Sequence, residues 1–177
     1  MTAIQSNPQN GFFLSARSHE RLGGVHPDLA RMVRRALQLS PIDFAVLEGR
    51  RSLDRQQLLY ESGATRTLNS RHLSGHAVDL GAWVGGSLRW DWPLYEKINQ
   101  AMQLAAAEIS LPVEWGGDWQ SFKDGPHFQL PWGDYPILRQ AQDEEANQSP
   151  HGELVEPCLD SILRQAQDEE AQNEGVK

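Results

Sequence analysis

Two short segments constrain what this chain can fold into: Ser70-Arg71-His72-Leu73-Ser74-Gly75-His76-Ala77-Val78-Asp79 and Asp124-Gly125-Pro126-His127. Asp79 stands inside the apolar run Ala77-Val78-Asp79-Leu80, which reads as a strand closed by glycines on both sides. A carboxylate in such a run is costly unless a cation or several donors compensate it. The histidines at His72 and His127 supply the obvious partners for a cation. Two imidazoles and one carboxylate form a tripod that leaves the fourth position of a zinc ion open, as catalytic rather than structural sites do. The fold must therefore bring two distant segments to one point, with Asp124 beside it as a spare acid.

His72 and His76 are four residues apart, the spacing of a helical zinc-peptidase motif with a glutamate between two ligands. Leu73 stands where that glutamate belongs and Gly75 weakens a helix, so His76 is expected outside the metal's ligand set. A second acid, Glu114, competes with Asp124 as a proton acceptor. Its place before Trp115-Gly116-Gly117 equally suits the orientation of a ligand histidine from behind.

The remaining pattern is that of a mixed domain. Pro27 opens a helix whose apolar stripe is Leu29, Met32, Val33 and Ala36. Phe44 to Leu47 reads as a strand leading into Glu48-Gly49-Arg50-Arg51, and Ser52 caps a helix from Leu53 to about Glu61. Gly85-Gly86 marks a turn, and Leu94 to Ile109 is the longest helix, stopped by Pro112. Val113-Glu114-Trp115 and His127-Phe128-Gln129-Leu130 read as two further strands. The expected class is α+β, helices packed on a small antiparallel sheet whose other face carries the site. Of the six tryptophans, Trp90, Trp92 and Trp132 are expected in the core, with Trp115 and Trp119 walling the cleft.

At 177 residues, the chain has the apolar content for one core. Its net charge of −8 is uneven: residues 1–135 hold 13 Lys+Arg against 14 Asp+Glu, and residues 136–177 hold 3 against 10. A nearly neutral domain without a basic stripe excludes the electrostatic footprint of a nucleic-acid binder. Ile137 to Ala146 recurs identically at Ile162 to Ala171, and two acidic decapeptides cannot build a core of their own. Two regions are expected, a catalytic domain at 1–135 and a flexible acidic tail at 136–177. The single Cys158 offers no internal disulfide. The absence of a secretory leader and of a long apolar run leads to the expectation of a monomer made in the cytoplasm, without stable membrane insertion.

Taken together, Ser70-x-His72-x-x-Gly75-x-Ala77-x-Asp79, Glu114-Trp115-Gly116-Gly117 and Asp124-x-x-His127-Phe128 resemble the D-Ala-D-Ala carboxypeptidase-like zinc peptidases, over about Leu14 to Trp132. Leu14 to Ser18, Gly24 to Leu29 and Glu48-Gly49-Arg50-Arg51-Ser52 resemble in particular the L-alanyl-D-glutamate endolysins of phages and prophages. The resemblance implies that His72, Asp79 and His127 bind zinc, that Asp124 is the base, that Arg51 contacts substrate near the reacting carbonyl, and that Ser70 is a further substrate contact. It implies a hydrolase cutting the L-Ala to D-Glu amide of peptidoglycan stem peptides and reaching the wall with a holin-type release partner. A carboxypeptidase trimming terminal D-Ala and a non-catalytic zinc-binding wall module are the alternatives.

Overall fold

The computed structural model describes residues 10–137. In chain order these form α1 (Ala16–Arg21), α2 (Pro27–Leu39), β1 (Phe44–Glu48), α3 (Leu53–Glu61), β2 (Ala77–Val84), β3 (Ser87–Arg89), α4 (Trp92–Ile109), β4 (Glu114–Trp115), a single 3-10 turn (Gly116–Asp118) and β5 (His127–Gln129). The expectations for the repeated tail lie outside the described residues. Among the described residues, no helix is long and apolar enough to cross a membrane.

Local rules account for most boundaries. Ser15 and Ser52 accept from the backbone amides of Ser18 and Arg55, capping α1 and α3, and prolines stand in the first turns of α2 and α4. The stripe of α2 is fully buried at Leu29, Met32, Val33 and Ala36, and α2 packs against α4, whose Ile98, Met102 and Ala105 are buried in the same core and which in turn contacts β2. Each of the larger of these side chains, Leu, Met, Val and Ile, contributes about 1.5–3 kcal/mol by leaving water. The exposed Arg35–Glu108 pair that also joins α2 to α4 adds little, because solvent screens it.

The strands form one antiparallel sheet in the order β1-β2-β5-β4, with β3 on the far end of β2. Successive side chains of a strand point to opposite faces. Val78, Leu80 and Phe128 thereby enter the core beneath the helices, whereas Asp79 and His127 emerge on the opposite face. Register then does what sequence distance cannot. Asp79 lies directly across from His127 and also from Glu48, and Glu114 lies across from Gln129. Two rows of cross-strand partners, Glu48-Asp79-His127 and Gln129-Glu114, thus assemble the polar wall of the site.

The expected α+β arrangement is the one observed, with two local departures. The short elements α1 and β3 were not expected; they are too brief for a period to show. Trp90, Trp92 and Trp132 are 62%, 38% and 41% exposed rather than core residues. Small and aliphatic side chains fill the space between α2, α4 and the sheet, leaving no room there for three indoles.

Candidate metal centre and active site

His72 comes to the wall from a tight turn rather than from a strand. Its backbone carbonyl accepts from the amides of Arg51 and Gly75, and Ser70 Oγ accepts from the His72 amide. Gly75 makes the turn possible: its φ is +72°, and a Cβ there would lie 2.2 Å from the Gly24 carbonyl oxygen. The adjacent Arg71 is fully buried, its guanidinium donating to the carbonyls of Leu130, Pro131 and Tyr135 while stacking on Trp132. This pins the segment after β5 against the turn that carries His72. Nothing in the sequence signalled that role for Arg71, since exposed is the default for arginine.

The three expected ligands meet. One ligand atom from each of His72, Asp79 and His127 lies within 4.8 Å of the others. Asp79 Oδ1 is 3.4 Å from His72 Nε2 and 3.3 Å from His127 Nδ1. The tautomers follow from the partners behind. His72 Nδ1 is 2.7 Å from the Gly49 carbonyl, which can only accept, so the proton is on Nδ1 and the Nε2 lone pair faces the site. His127 Nε2 is 3.1 Å from Gln129 Oε1, and Gln129 Nε2 donates to Glu114 Oε2 at 2.7 Å. That second bond sets which end of the amide faces the ring, so His127 donates through Nε2 and presents the Nδ1 lone pair. Two ring nitrogens and a carboxylate oxygen thus converge with no donor among them, and His72 Nε2 is buried without a hydrogen-bond partner among the described residues. Three acceptors crowded together are unfavourable unless positive charge lies between them. The residues fit a metal cation.

The titration behaviour points the same way. Burial opposes ionisation of Asp79, but the His127 and His72 rings outweigh it and hold the carboxyl far below the usual carboxylate range. Burial likewise opposes charging His127, but a proton added at Nδ1 would bond to Asp79 and feel its charge, which reverses this and pushes the pKa up: a proton can stand where the cation would. The cluster attracts positive charge.

Arg51 is less free than expected. Its side chain is only 8% exposed and forks onto both oxygens of Glu48, with a third bond to Gln56 Oε1 at 2.8 Å. Its remaining contact is with Asp79 Oδ2 at 3.7 Å. It therefore stands behind a ligand, bound up in β1 and α3. Glu48 also accepts from Arg55, and the two arginines overcome burial and lower its pKa.

The acids that competed for the proton-transfer role occupy different places. Asp124 lines the cleft together with the three ligands, whereas Glu114 turns away to Gln129. Burial and the charge of Asp79 raise the Asp124 pKa against the opposing pull of His127, His72 and Arg51. The Glu114-Trp115-Gly116-Gly117 motif is the platform beneath this acid. Asp124 N donates to the Gly116 carbonyl, and a Cβ on Gly116 would stand 2.6 Å from Asp124 O and 3.1 Å from His127 Cβ. Trp115 Nε1 donates to the Gly125 carbonyl at 2.7 Å, and the Tyr95 ring packs against the Gly125 Cα. Burial, then the charges of Asp124 and Asp79, push the Tyr95 phenol up to about 12.

The expectation that Trp115 walls the cleft and meets substrate there is corrected, since it is not among the residues that line the cleft. It is 7% exposed, stacked on Phe128 and against Trp92, because its indole must reach Gly125 from the core side. Trp119, with its ring 5.0 Å from His127, and Trp132 wall the cleft of about 520 Å³ instead. Ser70 lines the cleft. His76 is outside the ligand cluster, its Nδ1 on Ser74 and its ring against His26. Gln129 is the residue the sequence reading missed, although its position two after His127 on a strand places it on the same face.

The family model of the phage L-alanyl-D-glutamate peptidase matches residues 10–130. The L-alanyl-D-glutamate peptidase of Escherichia phage T5 is 28% identical over 128 residues, covering 70% of this chain and 93% of the relative. The peptidoglycan L-alanyl-D-glutamate endopeptidase CwlK of Bacillus subtilis is 36% identical over 102 residues, covering 50% and 61%. Among solved structures, the Serratia marcescens L-Ala D-Glu endopeptidase ChiX superposes with a TM-score of 0.69 at 50% identity, covering 73% of this chain and 96% of that one. The chain belongs to the phage L-alanyl-D-glutamate peptidase family.

Proposed function

We propose that this protein is a zinc-dependent peptidoglycan hydrolase that cuts the L-Ala to D-Glu amide of stem peptides. The observation that carries the reading is the convergence of three hydrogen-bond acceptors, without a donor, at the floor of a cleft that Asp124 also lines. His72, Asp79 and His127 hold the ion, which when bound supplies Lewis-acid polarisation of the carbonyl and acidification of water. Asp124 takes the proton of the attacking water and delivers it to the leaving amine nitrogen. Its raised pKa suits a group that must both accept and donate. Arg51 holds the outer oxygen of Asp79, and the Glu114–Gln129 pair keeps the His127 lone pair aimed at the ion. Ser70 and Trp119 bound the space that the peptide enters.

The catalytic domain on this reading is residues 1–135, with the acidic tail outside the chemistry. Action as a monomer, synthesis in the cytoplasm and escape to the wall with a holin-type partner belong to the same proposal. The test is to incubate the zinc-loaded protein with peptidoglycan and identify released ends by mass spectrometry. New D-Glu amino termini are expected; free D-Ala instead makes the enzyme a carboxypeptidase, and no metal-dependent product removes the hydrolase reading altogether.

A further inference from the structure

Four arginines line the cleft among the described residues, and three are committed. Arg51 donates to Glu48 and Gln56, Arg55 donates to Glu48, and Arg71 donates to backbone carbonyls. Arg66 differs. It extends from the segment between α3 and the His72 turn, and its guanidinium carbon sits 4.8 Å from the ring centroid of Phe122, which belongs to the facing segment between the 3-10 turn and β5. An aromatic ring takes the face of a guanidinium and leaves its N–H edge free for a planar acceptor. Phe122 is itself 46% exposed at the cleft, an apolar surface with no core behind it to explain it. The three acids of the cleft do not neutralise Arg66: Glu48 is taken by Arg51 and Arg55, Asp79 belongs to the ligand cluster with Arg51 behind it, and Asp124 forms no ion pair with Arg66.

The substrate chemistry supplies a match. A D-glutamyl residue has two carboxyl groups, and continuing the peptide uses at most one. A free carboxylate therefore stands on the amine side of the scissile amide unless it is amidated. We propose that Arg66, backed by Phe122, is a carboxylate-reading subsite that distinguishes a free D-glutamyl carboxylate from its carboxamide. The subsite rests on the hydrolase reading above and deepens it. A charge-assisted contact of this kind is worth about tenfold or more in affinity over an uncharged amide.

The test pairs two measurements on the zinc-loaded full chain. Turnover is measured on two synthetic L-Ala-D-Glu peptides that differ only in carboxylate against carboxamide. Binding is measured by calorimetry with the corresponding amine-side product peptides. The wild type is expected to favour the carboxylate by about tenfold in both kcat/KM and affinity. Arg66→Ala should bring the ratio near one, mainly through KM and with zinc content intact, and Arg66→Lys should restore part of it. Arg89→Ala, whose partner Asp91 lies away from the cleft, is the control that keeps the wild-type ratio. Turnover with the same ratio in Arg66→Ala as in the wild type overturns the subsite and leaves the hydrolase standing. A binding contrast lost in Arg66→Ala, with neither peptide cut by the wild type, supports the subsite and removes the hydrolase reading.

Discussion

The floor of the cleft and its rim are built on opposite principles. On the floor, each ligand has a partner behind it: Gly49 behind His72, Gln129 and Glu114 behind His127, Arg51 behind Asp79. Only the atoms facing the centre are left unsatisfied. On the rim, Arg66 and Phe122 are exposed, come from two loops and hold each other by a ring contact alone. Ligands of an ion must be placed before it arrives, because reorganising them costs binding energy, whereas a contact to a flexible peptide tolerates adjustment. On the proposed reading, chemistry belongs to the floor and selectivity to the rim.

The largest expected effect breaks the floor outright. Asp79→Ala should lose the ion and lower turnover by on the order of 10³-fold or more, since metal catalysis supplies several kcal/mol. Zinc content by mass spectrometry and turnover check it together. Next, Asp124→Ala should keep the ion and lose about 10²- to 10⁴-fold in rate. Full activity in that variant would show that another group moves the proton. Glu114→Ala and Gln129→Leu act from behind His127 and should weaken metal affinity or activity by about 10- to 100-fold, with partial recovery in excess zinc. Retained zinc with abolished turnover in Glu114→Ala would instead make Glu114 the base. The rim variant Arg66→Ala comes below these, because it alters preference rather than chemistry.

The smallest effect concerns the Glu48 fork beneath Arg51. Its carboxyl is lowered in the folded protein, so its stabilisation is fully present above the unfolded value near 4.5 and is lost as pH falls through the folded value. Urea midpoints of the metal-free protein should therefore drop more steeply below about pH 4.5 in the wild type than in Glu48→Gln. Equal slopes would mean that the fork contributes orientation without stability.

Much of the fold could be read because it follows from short-range rules. The stripe of α2, the serine caps, the proline starts and the Gly85-Gly86 turn are local consequences of period and backbone geometry. The convergence of His72, Asp79 and His127 was legible for a related reason: a carboxylate inside an apolar strand makes sense only with a compensating charge. The errors arose where a residue's environment depends on distant partners. Three indoles expected inside lie at the surface, and Trp115 turned from the cleft to the core to reach Gly125. Gln129 and Arg71 acquired roles from neighbours far along the chain, which no periodicity encodes.

By itself, then, the sequence determined which side chains were available for a metal and which faces were apolar, because burying a charge or exposing a stripe has a cost that local pattern reveals. Tertiary structure alone decided that Asp79 stands opposite His127, that Glu114 serves Gln129 while Asp124 enters the cleft, and that Arg51 is spent while Arg66 is free. The physical reason is register. Antiparallel pairing turns positions far apart in the chain into neighbours a few ångströms apart, and hydrogen bonds then assign each polar group to a partner that only the assembled sheet supplies.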